Sequence, residues 1–310
     1  MAAGDLVTLP GHIQYGDLLL GPGTAVRWKS LSGWIDTPGL DSGTVTRSDG
    51  HGAYLGPLYA QPRTITVDGL VIRTAPGAMS AAVRTLSAHL AFRDDELPLA
   101  IRLDDAPPLM CWARCLRRSI PVDTSGYRIG FSQGGALQFE ATDPRLYSLT
   151  EQRIETRLPS PEPGLDWHLD PGPEHLDWHL DPGPEQLDFG APGSTGALIA
   201  VNEGDADAHP AITFRGPVTR PSLTNLTTGE VVEYDIDLAA DDVLHVDTNA
   251  GTVTLNGHGG ASRLHTATAR SIPEQAFTLA PGVTQFAFRA APGSSDPRAS
   301  VTVRYRSAYW

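Results

Sequence analysis

The chain is poor in cysteine, in lysine and in long apolar runs, and each shortage excludes something. Its two cysteines, Cys111 and Cys115, stand four apart in a segment with strand character. At about 3.3 Å per residue their Cα atoms would lie about 13 Å apart, beyond disulfide reach, so free thiols are expected. No further cysteine or histidine cluster completes a structural zinc site. No apolar stretch approaches the roughly 20 residues of a membrane-spanning helix, and Met1-Ala-Ala-Gly-Asp5 is not a signal peptide. A soluble protein made in the cytoplasm is expected, with no membrane association. Lys29 is the only lysine, the net charge is -13, and no basic patch exists to neutralise phosphates, which argues against tight nucleic-acid binding.

Catalytic signatures are missing too. There is no Gly-x-Ser-x-Gly elbow, no phosphate-cradling Gly-x4-Gly-Lys-Ser/Thr loop and no His-Glu-x2-His. The acidic pairs Asp94-Asp95, Asp104-Asp105 and Asp241-Asp242 fall beside strand ends, where turns ordinarily carry charge, and none has a partner at glycosidase spacing. The sequence therefore predicts neither an enzyme nor a cofactor or metal requirement.

What the chain has in quantity is turn and strand residues: 32 Gly, 26 Pro and 40% apolar side chains. Residues 1–150 alternate between apolar strand segments (17–20, 26–31, 63–72, 97–103, 110–120 and 136–142) and Gly/Pro clusters. One helix is predicted at 80–92, where Val83, Leu86 and Leu90 form a single apolar stripe. From Gly196 onward short alternating strands (197–201, 211–214, 231–234, 243–246, 252–255, 285–289 and 300–305) are divided by turns such as Asn256-Gly257. The predicted fold class is mainly β, with a β-rich domain at 1–150 and a jelly-roll or lectin-like β-sandwich at 193–310.

Between the two lies an acidic, Pro/Gly-rich linker or arm, 151–192, with 10 acidic and 2 basic side chains. It contains an 11-residue duplication: Leu165-Asp-Trp-His-Leu-Asp-Pro-Gly-Pro-Glu174 recurs as residues 176–185, and Leu187-Asp-Phe189 starts a third copy. The prolines forbid a continuous helix. Trp167 and Trp178 are candidates to stack on a glycan or a partner, or simply to pack on an adjacent domain. His168 with Asp170 and His179 with Asp181 are weaker candidates for a shared metal, since such side chains usually remain solvated on a strand.

The order of motifs resembles the distal tail proteins of siphovirus-type bacteriophages, the phage tail family. In the first domain the resemblance rests on Trp28-Lys-Ser-Leu-Ser-Gly-Trp-Ile-Asp-Thr-Pro38, Ser48-Asp-Gly50, Gln61-Pro-Arg-Thr-Ile-Thr-Val-Asp-Gly69 and Phe139-Glu-Ala-Thr-Asp-Pro-Arg-Leu-Tyr147. In the second it rests on Asn202, His209-Pro-Ala-Ile-Thr213, Gly216-Pro-Val218, Leu223-Thr-Asn-Leu-Thr-Thr-Gly-Glu230, Val246-Asp-Thr248, Leu279-Ala-Pro-Gly282 and the terminal Val301-Thr-Val-Arg-Tyr-Arg-Ser-Ala-Tyr-Trp310. The resemblance implies a split-barrel-like ring-forming N-terminal domain and a galectin-like C-terminal sandwich. It further implies a structural virion protein: a hexameric ring at the distal end of the tail tube, assembled in the host cytoplasm. Such a hub joins the tube to tape-measure and tail-tip or baseplate proteins and leaves a channel through which DNA passes as cargo. The duplicated arm departs from what the family shares. The alternative reading is a carbohydrate-binding module touching host surface glycans.

The last strand poses its own question. Val301, Val303 and Tyr305 alternate with Thr302, Arg304 and Arg306, as in a strand with one buried face, and the rings of Tyr309 and Trp310 follow. Residues 300–305 are expected to be a core strand closing the second domain, with the two rings capping it at the domain's end or at the junction.

Overall fold

The computed structural model describes residues 2–160, 193–257 and 259–310. The duplicated motif, and with it Trp167, Trp178 and the His/Asp pairs, lies outside the described residues. The chain divides into two compact units. The first comprises 1–151, 203–206 and 306–310, and the second 152–202 and 207–305.

The first unit is built on a ten-stranded antiparallel sheet that nearly closes into a barrel. Its strands are β1 (His12–Tyr15), β2 (Leu18–Leu20), β3 (Val26–Arg27) and β4 (Ser30–Ser32), followed, after an outlying hairpin, by three long strands and their neighbours. The hairpin is made of β5 (Leu40–Ser42), β6 (Val45–Thr46), β7 (Ala53–Tyr54) and β8 (Leu58–Ala60). Then come β9 (Arg63–Arg73), β10 (Leu97–Arg102), β11 (Leu109–Ser119), β12 (Phe131–Ala141) and β13 (Leu146–Ser148). The main path runs β2-β1-β10-β11-β12-β9-β3, with β4 also pairing β9 and β13 pairing β11. The alternation read from the sequence holds in β9, whose Arg63, Ile65 and Val67 are buried between exposed Thr64 and Asp68. A bulge at Gln133–Ala136 in β12 bends the pair it makes with β9.

Helix α1 (Met79–His89) lays Met79, Leu86 and the following Leu90 into the core, with Val83 partly buried. Arg118 donates through Nη1 to the carbonyls of Ser87 and Leu90 at 3.1 and 2.8 Å, setting a cation at the negative end of the helix. The helix thus stops before the predicted residue 92, and Phe92 is exposed. A second helix, α2 (Thr124–Ile129), is capped by the Asp123 carboxylate accepting from Gly126 N at 2.7 Å. It is too short, and carries an internal glycine, to show in periodicity. Cys111 and Cys115 are free and buried in β11, as expected, and burial pushes both thiols up from their ordinary pKa. Cys115 N donates to the hydroxyl of Tyr15, whose ring packs on Phe139 at 4.9 Å.

Among the described residues, the second unit has two main antiparallel sheets and one two-stranded ribbon. Its strands are β14 (Gln152–Arg157), β15 (Ala197–Asn202), β16 (Ala211–Arg215), β17 (Val218–Thr219), β18 (Ser222–Asn225), β19 (Val231–Glu233), β20 (Asp237–Leu238), β21 (Val243–Asp247), β22 (Thr252–Leu255), β23 (Gly282–Arg289) and β24 (Ser300–Tyr305). One sheet runs β14-β24-β16-β21-β22 and the other β15-β23-β18-β19. Phe214 of the first meets Phe288 of the second at 5.9 Å between ring centres, so the inner faces share one apolar layer. The strand β24 is interior, paired on both sides by β14 and β16, as expected of a core strand. The stretch read as linker contributes β14 to its edge.

The chain's last strand, β25 (Ala308–Tyr309), lies elsewhere than expected. Leu146 and Tyr147 of β13 pair with Tyr309 and Ala308, so the terminal rings belong to the first unit and do not cap the sandwich. On its other side Ala308 bridges Ala206. Gly204 is required here, because a Cβ would collide with the Ala308 carbonyl. The Arg306 guanidinium, its pKa lowered by burial, donates to the carbonyls of Ser148 and Leu149. Trp310 N donates to Asp205 Oδ1 at 2.9 Å.

Candidate assembly surface

The feature of the first unit that serves no core of its own is the hairpin of β5 to β8. Leu40 pairs with Ala60 and Ser42 with Leu58; further out, Val45 pairs with Tyr54. Backbone bonds from Gly43 N to Pro57 O (2.9 Å) and Gln61 N to Gly39 O (2.7 Å) continue the ladder, and Gln61 Nε2 donates to Asp41 Oδ1 at 2.7 Å. Arg47 lies over the Tyr54 ring, 4.8 Å from its centre. From Gly39 to Tyr59 nearly every residue is exposed, yet Leu40, Val45, Tyr54, Leu55, Leu58 and Tyr59 are apolar or aromatic, and Leu55 is 92% exposed. A two-stranded hairpin is marginal by itself, and this one leaves six large apolar side chains uncovered within 20 residues.

Its root, by contrast, is held firmly. Arg63, at 1% exposure, opens β9 and donates through Nη1 to the carbonyls of Gly33 (3.0 Å), Trp34 (2.9 Å) and Asp36 (2.8 Å), and through Nε to that of Pro144 (2.6 Å). Burial lowers its pKa, but guanidinium remains charged, and the carbonyl dipoles answer that charge. Gly33 sits at φ 78 with Thr64 so close that a Cβ would overlap its carbonyl oxygen, and Gly33 N donates to Asp36 Oδ2 at 2.6 Å. Trp34 is buried while the next residue, Ile35, is 79% exposed, so the chain turns from core to surface within one step. On the far side of Arg63, Asp143 holds the same corner by accepting from Arg145 Nε (2.8 Å) and the Tyr147 hydroxyl (2.6 Å). The hairpin thus rises from a base fixed by these bonds.

The resemblance implied ring formation by the first domain, residues 1–150, without naming the surface. The hairpin went unread because its strands are two or three residues long and interrupted by glycine, below the length at which alternation is detectable. The one visible signal was apolar residues inside a Gly/Ser/Thr-rich stretch.

Three comparisons bear on identity. Residues 203–309 match the family described as siphovirus-type tail component, C-terminal domain. No curated protein matches the chain. Among solved structures, the chain is similar to the Dit protein (gp 19.1) of phage SPP1, described as a paradigm of the hub adsorption apparatus in phages infecting Gram-positive bacteria. The TM-score is 0.63 at 14% identity, covering 96% of this chain and 99% of that one. A chain of the phage P2 baseplate in its activated conformation with Ca aligns at TM-score 0.49 and 9% identity over 91% of each chain. The chain is therefore similar in sequence to siphovirus-type tail components over residues 203–309, and shares the fold of the SPP1 Dit protein over nearly its whole length.

Proposed function

We propose that the protein is a structural, non-enzymatic component of a phage tail: a hub at the distal end of the tail tube, formed by copies of this chain closed into a ring. The observation that carries the reading is the shared fold with the SPP1 hub protein across both units. The apolar hairpin anchored on Arg63 supports it, since a ring of head-to-tail contacts would cover that surface on every copy. A hexamer is the copy number that the resemblance implies. The ring would join the tube to tape-measure and tail-tip or baseplate proteins and leave a channel for DNA. The first unit's near-balance of 14 acidic and 13 basic side chains over residues 1–150 fits a conduit that should not grip its cargo.

Imaging assembled particles with a label on this chain tests the reading. Signal at the tail tip, with ring-shaped oligomers of the purified protein or of tail fragments, is the expected result. Absence of the chain from tail tips would overturn it.

A further inference from the structure

The second unit carries an open groove of ≈ 680 Å³ beside β19. The segment after the 3-10 turn at Leu264–Thr266 runs back antiparallel to β19: Asp235 N donates to Thr266 O (2.7 Å), Thr268 N to Glu233 O (3.0 Å) and Ile272 N to Val231 O (3.0 Å). The pleat then decides the groove's chemistry. Tyr234 points into the core, while Glu233 and Asp235 share the opposite face with Thr268 and Arg270 of the neighbouring segment.

The side chains there are organised by one another. Glu233, whose side chain is 9% exposed, accepts from Thr268 Oγ1 (2.9 Å) and Arg270 Nη1 (3.1 Å). Arg220, held at φ 49, donates from Nε and Nη2 to the same oxygen of Asp235, at 3.1 and 3.0 Å. That geometry leaves Asp235 Oδ2, Arg220 Nη1, and Arg270 Nε and Nη2 without a bond among the described residues, with His265 on the same rim. Two guanidiniums are balanced by two carboxylates, so neither a phosphate nor a polycation finds a net opposite charge. A vicinal diol is the complementary ligand, because each hydroxyl both donates and accepts and can bridge a fixed N–H to a fixed carboxylate oxygen. Prior pairing of the side chains reduces the ordering cost of binding.

We infer that this groove, lined by Arg220, Glu233, Asp235, His265 and Arg270, is a binding site for a neutral sugar of a surface polysaccharide. It stands or falls independently of the hub reading.

The test uses the full chain, isotope-labelled, titrated with the methyl glycosides of glucose, galactose, rhamnose and N-acetylglucosamine, and with inorganic phosphate as the anionic control. The expected result is saturable shifts of the backbone amides at 233–235 and 265–270 with at least one sugar and not with phosphate. Asp235→Asn and Arg270→Gln, at side chains 67% and 69% exposed and so compatible with the fold, should each weaken binding about tenfold, which is ~1.4 kcal/mol. No saturable shift with any of the four sugars, a response to phosphate alone, or binding unchanged in both variants would overturn the inference.

Discussion

Leu146 and Tyr309 stand opposite one another in an antiparallel ladder, so the end of the chain is built into the sheet of the first unit after the sandwich has been completed. The placement is secured on both sides: Ser148 N donates to Ser307 O at 2.9 Å, Glu203 N donates to Ser307 Oγ at 3.0 Å, and Ala206 N donates to Ala308 O at 3.1 Å. The first unit therefore depends on residues from both ends of the sequence.

Removing Tyr309 and Trp310 should accordingly loosen the first unit and spare the second. Hydrogen exchange on the truncated protein is expected to speed up at Leu146–Ser148 and 203–206, with β16, β21 and β24 still protected. Loss of protection centred on the sandwich instead would contradict the placement of β25.

Arg63→Ala removes the cation that four carbonyls share and leaves them, the buried Trp34 carbonyl above all, without that donor. A loss of roughly 3 kcal/mol is expected from hydrogen bonds to a charged group and the desolvated partners left behind. Denaturant unfolding measures the loss. Limited proteolysis should show faster cutting at residues 37–62 than at other loops, because the hairpin root is what the side chain holds.

Leu55→Asp combined with Tyr59→Asp tests the arm as an assembly surface. Both side chains are exposed, so unfolding should change by only about 0.5 kcal/mol. Light scattering and particle imaging are expected to show that the variant no longer forms the oligomer made by the parent chain. Undiminished assembly would place the contact elsewhere.

Alkaline pH should unfold the protein through its buried phenols. Tyr234 is fully buried and donates to Glu274 Oε1 at 3.1 Å, and burial with that carboxylate beside it raises its pKa; burial likewise raises Tyr15 and Tyr147. The folded state holds these protons more tightly than the unfolded state. Their contribution is therefore complete below the unfolded value of about 10 and is lost as pH rises above it, each group adding up to about 1.4 kcal/mol per pH unit. Tyr234→Phe should make the fall shallower by one proton's worth, as read from urea midpoints across that range. An unchanged slope would show that Tyr234 ionises freely in the folded protein.

Much of the fold was legible because local pattern and burial agree where strands are long. The segments 63–72, 110–120, 252–255 and 300–305 were read within a residue or two of β9, β11, β22 and β24, since each alternates over enough positions to name its buried face. The segment 26–31 was read as one strand but is two, β3 and β4, both pairing β9 around Lys29, and the sequence carries no mark of that break. The groove on β19 was invisible for a different reason. Glu233 and Asp235 look like ordinary strand-end charges until the segment 266–272, distant in sequence, is laid beside them.

By itself the sequence determined that this is a β-rich chain of alternating strands, with free thiols, one amphipathic helix and motifs in the order of a phage tail protein. Periodicity, turn residues and composition are local properties and survive without coordinates. Only the tertiary structure decided that the last strand joins the first unit, that Arg63 anchors an exposed apolar hairpin and that two Arg–carboxylate pairs line one groove. Each of these depends on which distant segments become neighbours, and long-range pairing follows from closing the sheets, which no single stretch of sequence encodes.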